Sequence, residues 1–172
     1  MHWGVEYVLL PNAQQKALAD FLTEEGVDLI IGGHPHVIQP MEMRWSKAHN
    51  KKVFLIYSLG NLISNMTTKD TRGGALAKVK LVRDENGNPV VDSASYRLVF
   101  TLQPGGGSKN FRLIPVEDYK SGALKSNCNI LENISGIAKS SIFFSIEPLH
   151  ISISYFLELF LPNIIIITLS IL

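Results

Sequence analysis

The sequence contains little cysteine, almost no net charge and no excess of basic residues. The single cysteine of the 172 residues, Cys128, excludes an internal disulfide. The 16 basic and 15 acidic residues give a net charge of +1, which argues against a nucleic-acid partner. The first residues lack a basic segment followed by an apolar one, so no signal peptide is visible. With 46% hydrophobic residues, the composition is that of a globular protein with one ordinary core.

Charged residues are scarce late in the chain, so we divide it into a domain at 1–122 and a low-charge apolar tail at 123–172. The charged side chains of this tail are Lys125, Glu132, Lys139, Glu147 and Glu158. From Ile151 onward the tail is long enough to span a bilayer, since roughly 20 residues suffice, although Glu158 falls near the middle. We expect the tail to pack poorly on the domain or to form a lone apolar helix. A membrane segment, an aberrant reading frame and a buried or amphipathic element all stay open.

Capping residues mark both ends of the first predicted helix. Asn12, with Gln15 three residues later, is typical of a capping box at the start of a helix over Ala13–Glu25. Gly26 suits the left-handed residue that ends such a helix. The apolar positions that recur with helical spacing are Ala17, Leu18, Phe21 and Leu22. We therefore predict that these side chains form the buried stripe.

Apolar runs on either side of an irregular segment predict two strands. The strands are expected at Val27–Ile31 and Val53–Tyr57, and the irregular segment at Val37–Lys52. A strand that follows a helix and precedes another strand in this way is typical of an α/β layer. The first part of the chain is therefore predicted to have the α/β class of fold.

A β-hairpin is predicted farther along the chain. The runs Ala75–Val82 and Val90–Leu102 flank Asn86-Gly87, which is a strong signal for a tight turn between antiparallel strands. Phe111–Val116 would be a closing strand, and Pro115 marks it as an edge or an end because proline cannot donate to a neighbouring strand.

The residues best suited to chemistry are three histidines. His34 and His36 follow Gly32-Gly33 at the carboxyl end of the first predicted strand, where α/β sheets bind their ligands. If this segment is extended, the two imidazoles project to the same side. His2 lies at the other end of the same unit. Neutral imidazole is the commonest protein ligand for metals, so the pattern indicates part of a metal site. A polar turn in which the histidines are simply satisfied is the alternative.

The sequence from His2 to Asn61 resembles a known family. The strings HWGVEY, PNAQQKALA, GVDLIIGGHPHVIQPME and FLIYSLGN are similar to the carboxyl half of the capsule synthesis proteins (CapA), the poly-γ-glutamate biosynthesis family. That family is in turn similar to the calcineurin-like metallophosphatases, whose last signature blocks are a lone histidine and G-H-x-H. The resemblance is strong over about sixty residues and plausible to about Tyr119.

This resemblance implies a fold and a metal site. The fold would be the carboxyl-terminal half of a metallophosphatase-like α/β sandwich, layered αββα, with a β-hairpin. The domain would be incomplete, since the earlier signature blocks would lie upstream of Met1. His2, His34 and His36 would be ligands of divalent metal ions such as Mn, Fe or Zn. Because only these three candidate ligands come with a motif, we expect the chain by itself to lack hydrolase activity.

Three further residues are candidates for roles beside the metal. Glu6 could accept a hydrogen bond from an imidazole that binds metal, or it could be an ordinary surface carboxylate. Asn61, on the loop after the second strand, could lie near a substrate or could serve the turn beside Gly60. Arg72 could bind a carboxylate or phosphate in bidentate fashion, or it could be a solvated loop arginine.

The function implied by the resemblance is the synthesis or export of an anionic, poly-γ-glutamate-like polymer at the bacterial cell envelope. The protein would be membrane-associated or extracytoplasmic, and its partners would be the polymer or a phosphate-containing substrate and other capsule-synthesis membrane proteins. The chemistry would be metal-assisted hydrolysis or transfer at a phosphate or an amide. The alternative is a non-catalytic pseudo-enzyme that binds polymer, or a truncated gene product without independent activity.

Overall fold

The computed structural model describes residues 1–105, 109–120 and 164–167, and in these ranges the fold is mixed α/β with two small sheets. The elements in chain order are α1 (Ala13–Glu24), β1 (Leu29–Ile31), β2 (Met41–Ser46), β3 (Lys51–Ile56), a 3-10 turn (Lys69–Thr71), β4 (Gly73–Arg83), β5 (Pro89–Leu102), β6 (Arg112–Pro115), α2 (Val116–Lys120) and β7 (Ile164–Ile167). The α/β class predicted from the sequence is thus confirmed.

The first sheet has the order β1-β3-β2, with β1 parallel and β2 antiparallel to the central strand β3. The apolar run at β3 is buried on both faces, as expected of a central strand. Val53, Leu55 and Tyr57 belong to a cluster shared with α1, whereas Phe54 and Ile56 belong to a cluster shared with the second sheet. Because successive strand residues point to opposite faces, β3 separates the helix from the second sheet.

The second sheet has the order β6-β5-β4-β7, and its centre is the predicted hairpin. Strands β4 and β5 pair from Gly73 opposite Phe100 to Arg83 opposite Pro89. In the turn, the Asp84 carboxylate accepts hydrogen bonds from the backbone amides of Asn88 and Asn86. These hydrogen bonds hold the pKa of Asp84 below its ordinary value. The hairpin is therefore confirmed, and the short closing strand β6 lies at the edge of the sheet as predicted.

The helix begins and ends as the sequence predicts. Asn12 and Gln15 form both hydrogen bonds of a capping box, and Gly26 after the helix has a φ of 87°. The carboxyl end also receives donors from β3 and the turn before it. His49 Nε2 lies 3.0 Å from the carbonyl oxygen of Glu24, and Lys51 Nζ donates to the carbonyl oxygen of Gly26.

The predicted buried stripe of α1 is wrong. Ala17, Leu18 and Phe21 are exposed, and Leu22 is only partly buried. The buried face is formed by Gln15, Ala19 and Thr23 instead. This face is possible because its polar groups have partners: the Thr23 hydroxyl donates to the Ala19 carbonyl, and the Gln15 amide bonds to Gln39.

The predicted irregular segment at Val37–Lys52 is also wrong in part, since it contains β2. The strand pairs with β3 from Met41 opposite Ile56 to Ser46 opposite Lys51. Its residues alternate between apolar and polar types, as is typical of a strand, and the polar Arg44 contacts α1. The Arg44 guanidinium bonds to Asp20 and Glu42 and donates to the hydroxyl of Tyr57, and burial raises the pKa of Tyr57 above its ordinary value.

Only four residues of the low-charge tail at 123–172 are described. Ile164–Ile167 form β7, which pairs antiparallel with residues Ala77–Lys80 of β4. These four residues are therefore extended and paired with the domain, contrary to the expected poor packing or lone apolar helix. The rest of the tail lies outside the described residues. The three interpretations of the tail, as a membrane segment, an aberrant reading frame or a buried or amphipathic element, therefore stay open. Within the described ranges, no helix is both long enough and apolar enough to cross a membrane.

Candidate functional site

The candidate site lies at the carboxyl end of β1, where the start of the chain meets the loop after this strand. His2 forms a parallel bridge with Gly33, in which the Gly33 amide donates to the Met1 carbonyl and the Trp3 amide donates to the Gly33 carbonyl. The backbone thereby places His2 beside His34, although they are far apart in sequence.

Gly32 makes this meeting of the two segments possible. The indole of Trp3 is buried and donates from Nε1 to the carbonyl oxygen of Tyr57 at 2.7 Å. A Cβ atom on Gly32 would lie 2.1 Å from that same oxygen and 2.3 Å from the indole nitrogen. Only a glycine leaves room for the Trp3–Tyr57 hydrogen bond, which holds the segment that carries His2 against the sheet.

The structure brings the three predicted histidines together. The ring centroids of His2 and His34 are 4.2 Å apart, and those of His34 and His36 are 6.3 Å apart. The three residues line one cavity of about 230 Å³, together with Asn61 and the backbone of Gly33, among others. The cavity lies at the end of the sheet at which α/β proteins bind their ligands.

The backbone of the histidine motif is not extended, so the projection of His34 and His36 as alternate strand residues is wrong. Both residues have positive φ, 97° for His34 and 59° for His36, and Tyr7 beside them has a φ of 66°. Such conformations are uncommon outside glycine and cluster at functional sites, where the surrounding structure holds them. Loop geometry and not strand alternation therefore brings the two rings to the cavity.

His36 is contacted on several sides. Its Nδ1 lies 3.1 Å from Oδ1 of Asn61, and its Nε2 lies 4.0 Å from Oε1 of Glu6. The ring of Tyr7 stacks on the imidazole at a centroid distance of 6.2 Å. Asn61 thus lies at the site, where it bonds an imidazole directly. Glu6 is half exposed and too far from His36 for a hydrogen bond, so its contact is an ion pair only when His36 is protonated.

Arg72 is not among the residues that line the cavity. Its guanidinium lies over the ring of Phe100, with 4.7 Å between the guanidinium carbon and the ring centroid. Within the described residues its Nε is buried without a hydrogen-bond partner. A substrate role for Arg72 stays a prediction, and the contact with Phe100 adds a packing role that the sequence did not indicate.

A pair of buried amides supports the site, and the sequence analysis missed it. Gln15 and Gln39 are 2% and 1% exposed, and Nε2 of Gln15 donates to Oε1 of Gln39. Nε2 of Gln39 in turn donates to the carbonyl oxygen of Val8. This chain of bonds connects α1, the loop after the histidine motif and the segment that carries Glu6 and Tyr7. In the sequence, the only sign of this buried pair is the polar residue Gln39, which lies between the apolar residues Val37-Ile38 and Met41.

We expect replacement of Gln39 by Leu to lower the free energy of unfolding by about 1–3 kcal/mol, because it leaves a buried amide of Gln15 without its partner. Urea denaturation measures the loss. The double substitution Gln15→Leu with Gln39→Leu should cost less than the sum of the two single changes, since neither buried amide is then left unpaired. Strictly additive costs would contradict the proposed dependence of one amide on the other.

Whether this site could hold a metal depends on the donor atoms that line the cavity. Imidazole nitrogens suit Zn, Fe and other first-row metals, and the cavity lining contributes three of them. In the ranges that the structure describes, however, no group of three or more His, Cys, Asp or Glu side chains is placed so that it could hold a metal ion. The joint binding of one ion by His2, His34 and His36 therefore stays a prediction.

Comparisons with known proteins found a family that is similar to the first part of the chain. The profile of the family described as Bacterial capsule synthesis protein PGA_cap matches residues 1–66, which include all three histidines. Residues 1–66 are therefore similar to the bacterial capsule synthesis protein family. No solved structure matches the chain.

Two curated relatives agree with this assignment. The PGA biosynthesis protein CapA of Bacillus subtilis (strain 168) is 38% identical over 86 residues, which are 50% of this chain and 21% of the relative. The Capsule biosynthesis protein CapA of Bacillus anthracis is 37% identical over 91 residues, which are 53% of this chain and 20% of the relative. The matched part thus spans about a fifth of the length of these relatives.

Proposed function

We propose that the chain carries part of a metal-dependent, phosphatase-like site that acts in the synthesis or export of an anionic capsule polymer of the poly-γ-glutamate type. The observation that carries this proposal is the convergence of His2, His34 and His36 on one cavity at the carboxyl end of β1. The names of the two relatives support the polymer class, since one is called a PGA biosynthesis protein. The place of action would be the bacterial cell envelope, with other capsule-synthesis membrane proteins as partners.

The three histidines would hold a divalent ion such as Mn, Fe or Zn. When bound, such an ion supplies a Lewis acid that polarises a phosphate or an amide carbonyl. The other residues position the imidazoles: Asn61 bonds His36, and Tyr7 stacks on the same ring. Three imidazoles without a carboxylate are enough to hold one ion with an open position, as in catalytic zinc sites.

A non-catalytic, polymer-binding role is the second candidate. One observation favours it: among the described residues that line the cavity there is no Asp or Glu, whereas two-metal phosphatase sites use carboxylate ligands in addition to imidazoles. Under either proposal we expect the isolated chain to bind one divalent ion without efficient turnover.

Calorimetric titration of the full chain with Zn²⁺ tests the proposal. We expect one ion per chain, and His34→Ala should weaken binding by about 10-fold or more, because the variant removes one of three ligands. His49→Ala is the matched control, since this histidine bonds the end of α1 and lies outside the cavity, and it should leave the affinity unchanged. Equal affinity in the chain and in His34→Ala would contradict the site.

An activity assay on the same preparations can exclude the non-catalytic candidate. Phosphomonoester and phosphodiester substrates are offered to the chain with Mn²⁺, Zn²⁺ or Fe²⁺, and no turnover is expected. Metal-dependent turnover that disappears in His34→Ala would exclude the non-catalytic role.

A further inference from the structure

We infer that Asn61 is a positioning residue that fixes the tautomer of His36 and leaves Nε2 as the nitrogen with a free electron pair. The inference rests on the proposed function, in which His36 is a metal ligand, because only a nitrogen without a proton can bind a metal. It concerns which of the two ring nitrogens is available and which side chain decides this.

The first step is the orientation of the Asn61 amide. The residue is 7% exposed, and its Nδ2 lies 2.9 Å from the carbonyl oxygen of Thr71 and 3.2 Å from that of His36. Carbonyl oxygens only accept hydrogen bonds, so the NH₂ group must be on this side of the amide. The usual ambiguity between the oxygen and nitrogen of an asparagine is thereby removed.

The second step is the proton on His36. With the amide oriented in this way, Oδ1 of Asn61 faces Nδ1 of the imidazole at 3.1 Å. An amide oxygen has no hydrogen to give, so Nδ1 must be the donor. The neutral ring therefore carries its proton on Nδ1. Nε2 is 4.0 Å from Glu6 Oε1, which is outside hydrogen-bond distance, so this carboxylate does not hold a proton there.

The free electron pair on Nε2 determines which class of ligand His36 can bind. A free electron pair on Nε2 can bind a metal ion or accept a hydrogen bond, and under the proposed function, in which His2 and His34 line the same cavity, the ligand is a divalent transition-metal cation. The hydrogen bond at Nδ1 also prevents rotation of the ring, so that Asn61 determines both the direction and the protonation pattern of the ligand.

The chain contains an internal reference for this assignment. His49 Nε2 lies 3.0 Å from the carbonyl oxygen of Glu24, which can only accept, so His49 carries its proton on Nε2. The two histidines are therefore expected to be opposite tautomers in one sample.

Nitrogen NMR of the full, uniformly ¹⁵N-labelled chain without metal tests the inference, at a pH well above the ordinary histidine pKa of about 6.5. We expect the protonated-nitrogen signal of His36 at Nδ1 and that of His49 at Nε2. A protonated Nε2 in His36 would overturn the inference. This measurement uses the unsubstituted chain, so it does not depend on the folding of any variant.

Two variants then assign the effect to Asn61. Asn61→Ala removes the acceptor and should shift His36 toward the Nε2–H form, which free histidine favours in water, while His49 stays unchanged. Asn61→Asp retains an acceptor oxygen and should keep the Nδ1–H form. A His36 that stays Nδ1–H in Asn61→Ala would show that another group sets the tautomer and would overturn the inference.

Zinc titration of the same proteins distinguishes the inference from the proposed function. We expect Asn61→Ala to weaken Zn²⁺ binding by about 10-fold and Asn61→Asp to restore it, as for other groups that orient a metal ligand. If the unsubstituted chain binds no Zn²⁺ while His36 is Nδ1–H, the proposed function fails and the tautomer assignment stands.

Discussion

Replacement of Gly32 by Ala is expected to destabilise the protein by about 3 kcal/mol, the upper end of the usual range of about 1–3 kcal/mol for overpacking, because the neighbouring atoms have little room to move. The added Cβ would lie 2.1 Å from the carbonyl oxygen of Tyr57 and 2.3 Å from the indole nitrogen of Trp3. One of these neighbours is backbone directly after β3 and the other is a buried ring, so neither can move without losing the hydrogen bond between them.

Urea denaturation followed by tryptophan fluorescence measures this effect. Gly87→Ala is the control, because Gly87 has a φ of 84° but nothing within 4 Å of an added Cβ. That substitution carries only the backbone penalty of the left-handed region, about 1 kcal/mol. If the two alanine variants were equally stable, the close packing of Trp3 at Gly32 would not be what positions the segment with His2.

Replacement of Phe54 by Ala is expected to lower the free energy of unfolding by about 3–5 kcal/mol, as for other fully buried phenylalanines. Phe54 is 0% exposed and lies on the face of β3 that contacts the second sheet. Removal of its ring leaves a cavity between two sheets that are each fixed by their own strand pairing, so the space cannot close easily.

Phe21 provides the matched control for Phe54. It is 57% exposed on the outer face of α1, so Phe21→Ala should change the free energy of unfolding by no more than about 0.5 kcal/mol. Both variants are compared by urea denaturation. A large loss in Phe21→Ala would show that the helix buries its apolar stripe after all, as its sequence periodicity predicts.

The features that the sequence predicted correctly depend on neighbours along the chain. The capping box of Asn12 and Gln15 and the Asn86-Gly87 turn are determined by bonds within a few residues, and both are present. The strand β3 could also be predicted without knowledge of the strands beside it, because a strand buried on both faces is an apolar run with few polar residues.

The features that the sequence could not predict depend on residues far away. Gln15 is buried because Gln39, 24 residues later, accepts its hydrogen bond, whereas the apolar residues Leu18 and Phe21 are exposed in the part of the chain that the structure describes. Periodicity indicates which residues share a face, but not whether another element covers that face.

In the candidate site, too, local features could be predicted from the sequence and contacts between distant residues could not. The three histidines were found from their motif and spacing, and the structure brings them to one cavity. The bond between His36 and Asn61 depends on how the loops after β1 and β3 meet, so residue types alone left the role of Asn61 open. Arg72 was selected for its chemistry, and its position over Phe100 could not be derived from the sequence.

The positive φ angles of His34 and His36 have a consequence for how the protein can change. At such angles glycine is free of the steric strain that a histidine carries, so the native residues hold the local backbone in a less favourable state than glycine would. For folding stability alone, glycine would be the favoured residue at both positions. The loop thus holds two imidazoles at a cost in stability, which is the pattern expected of residues that have a function.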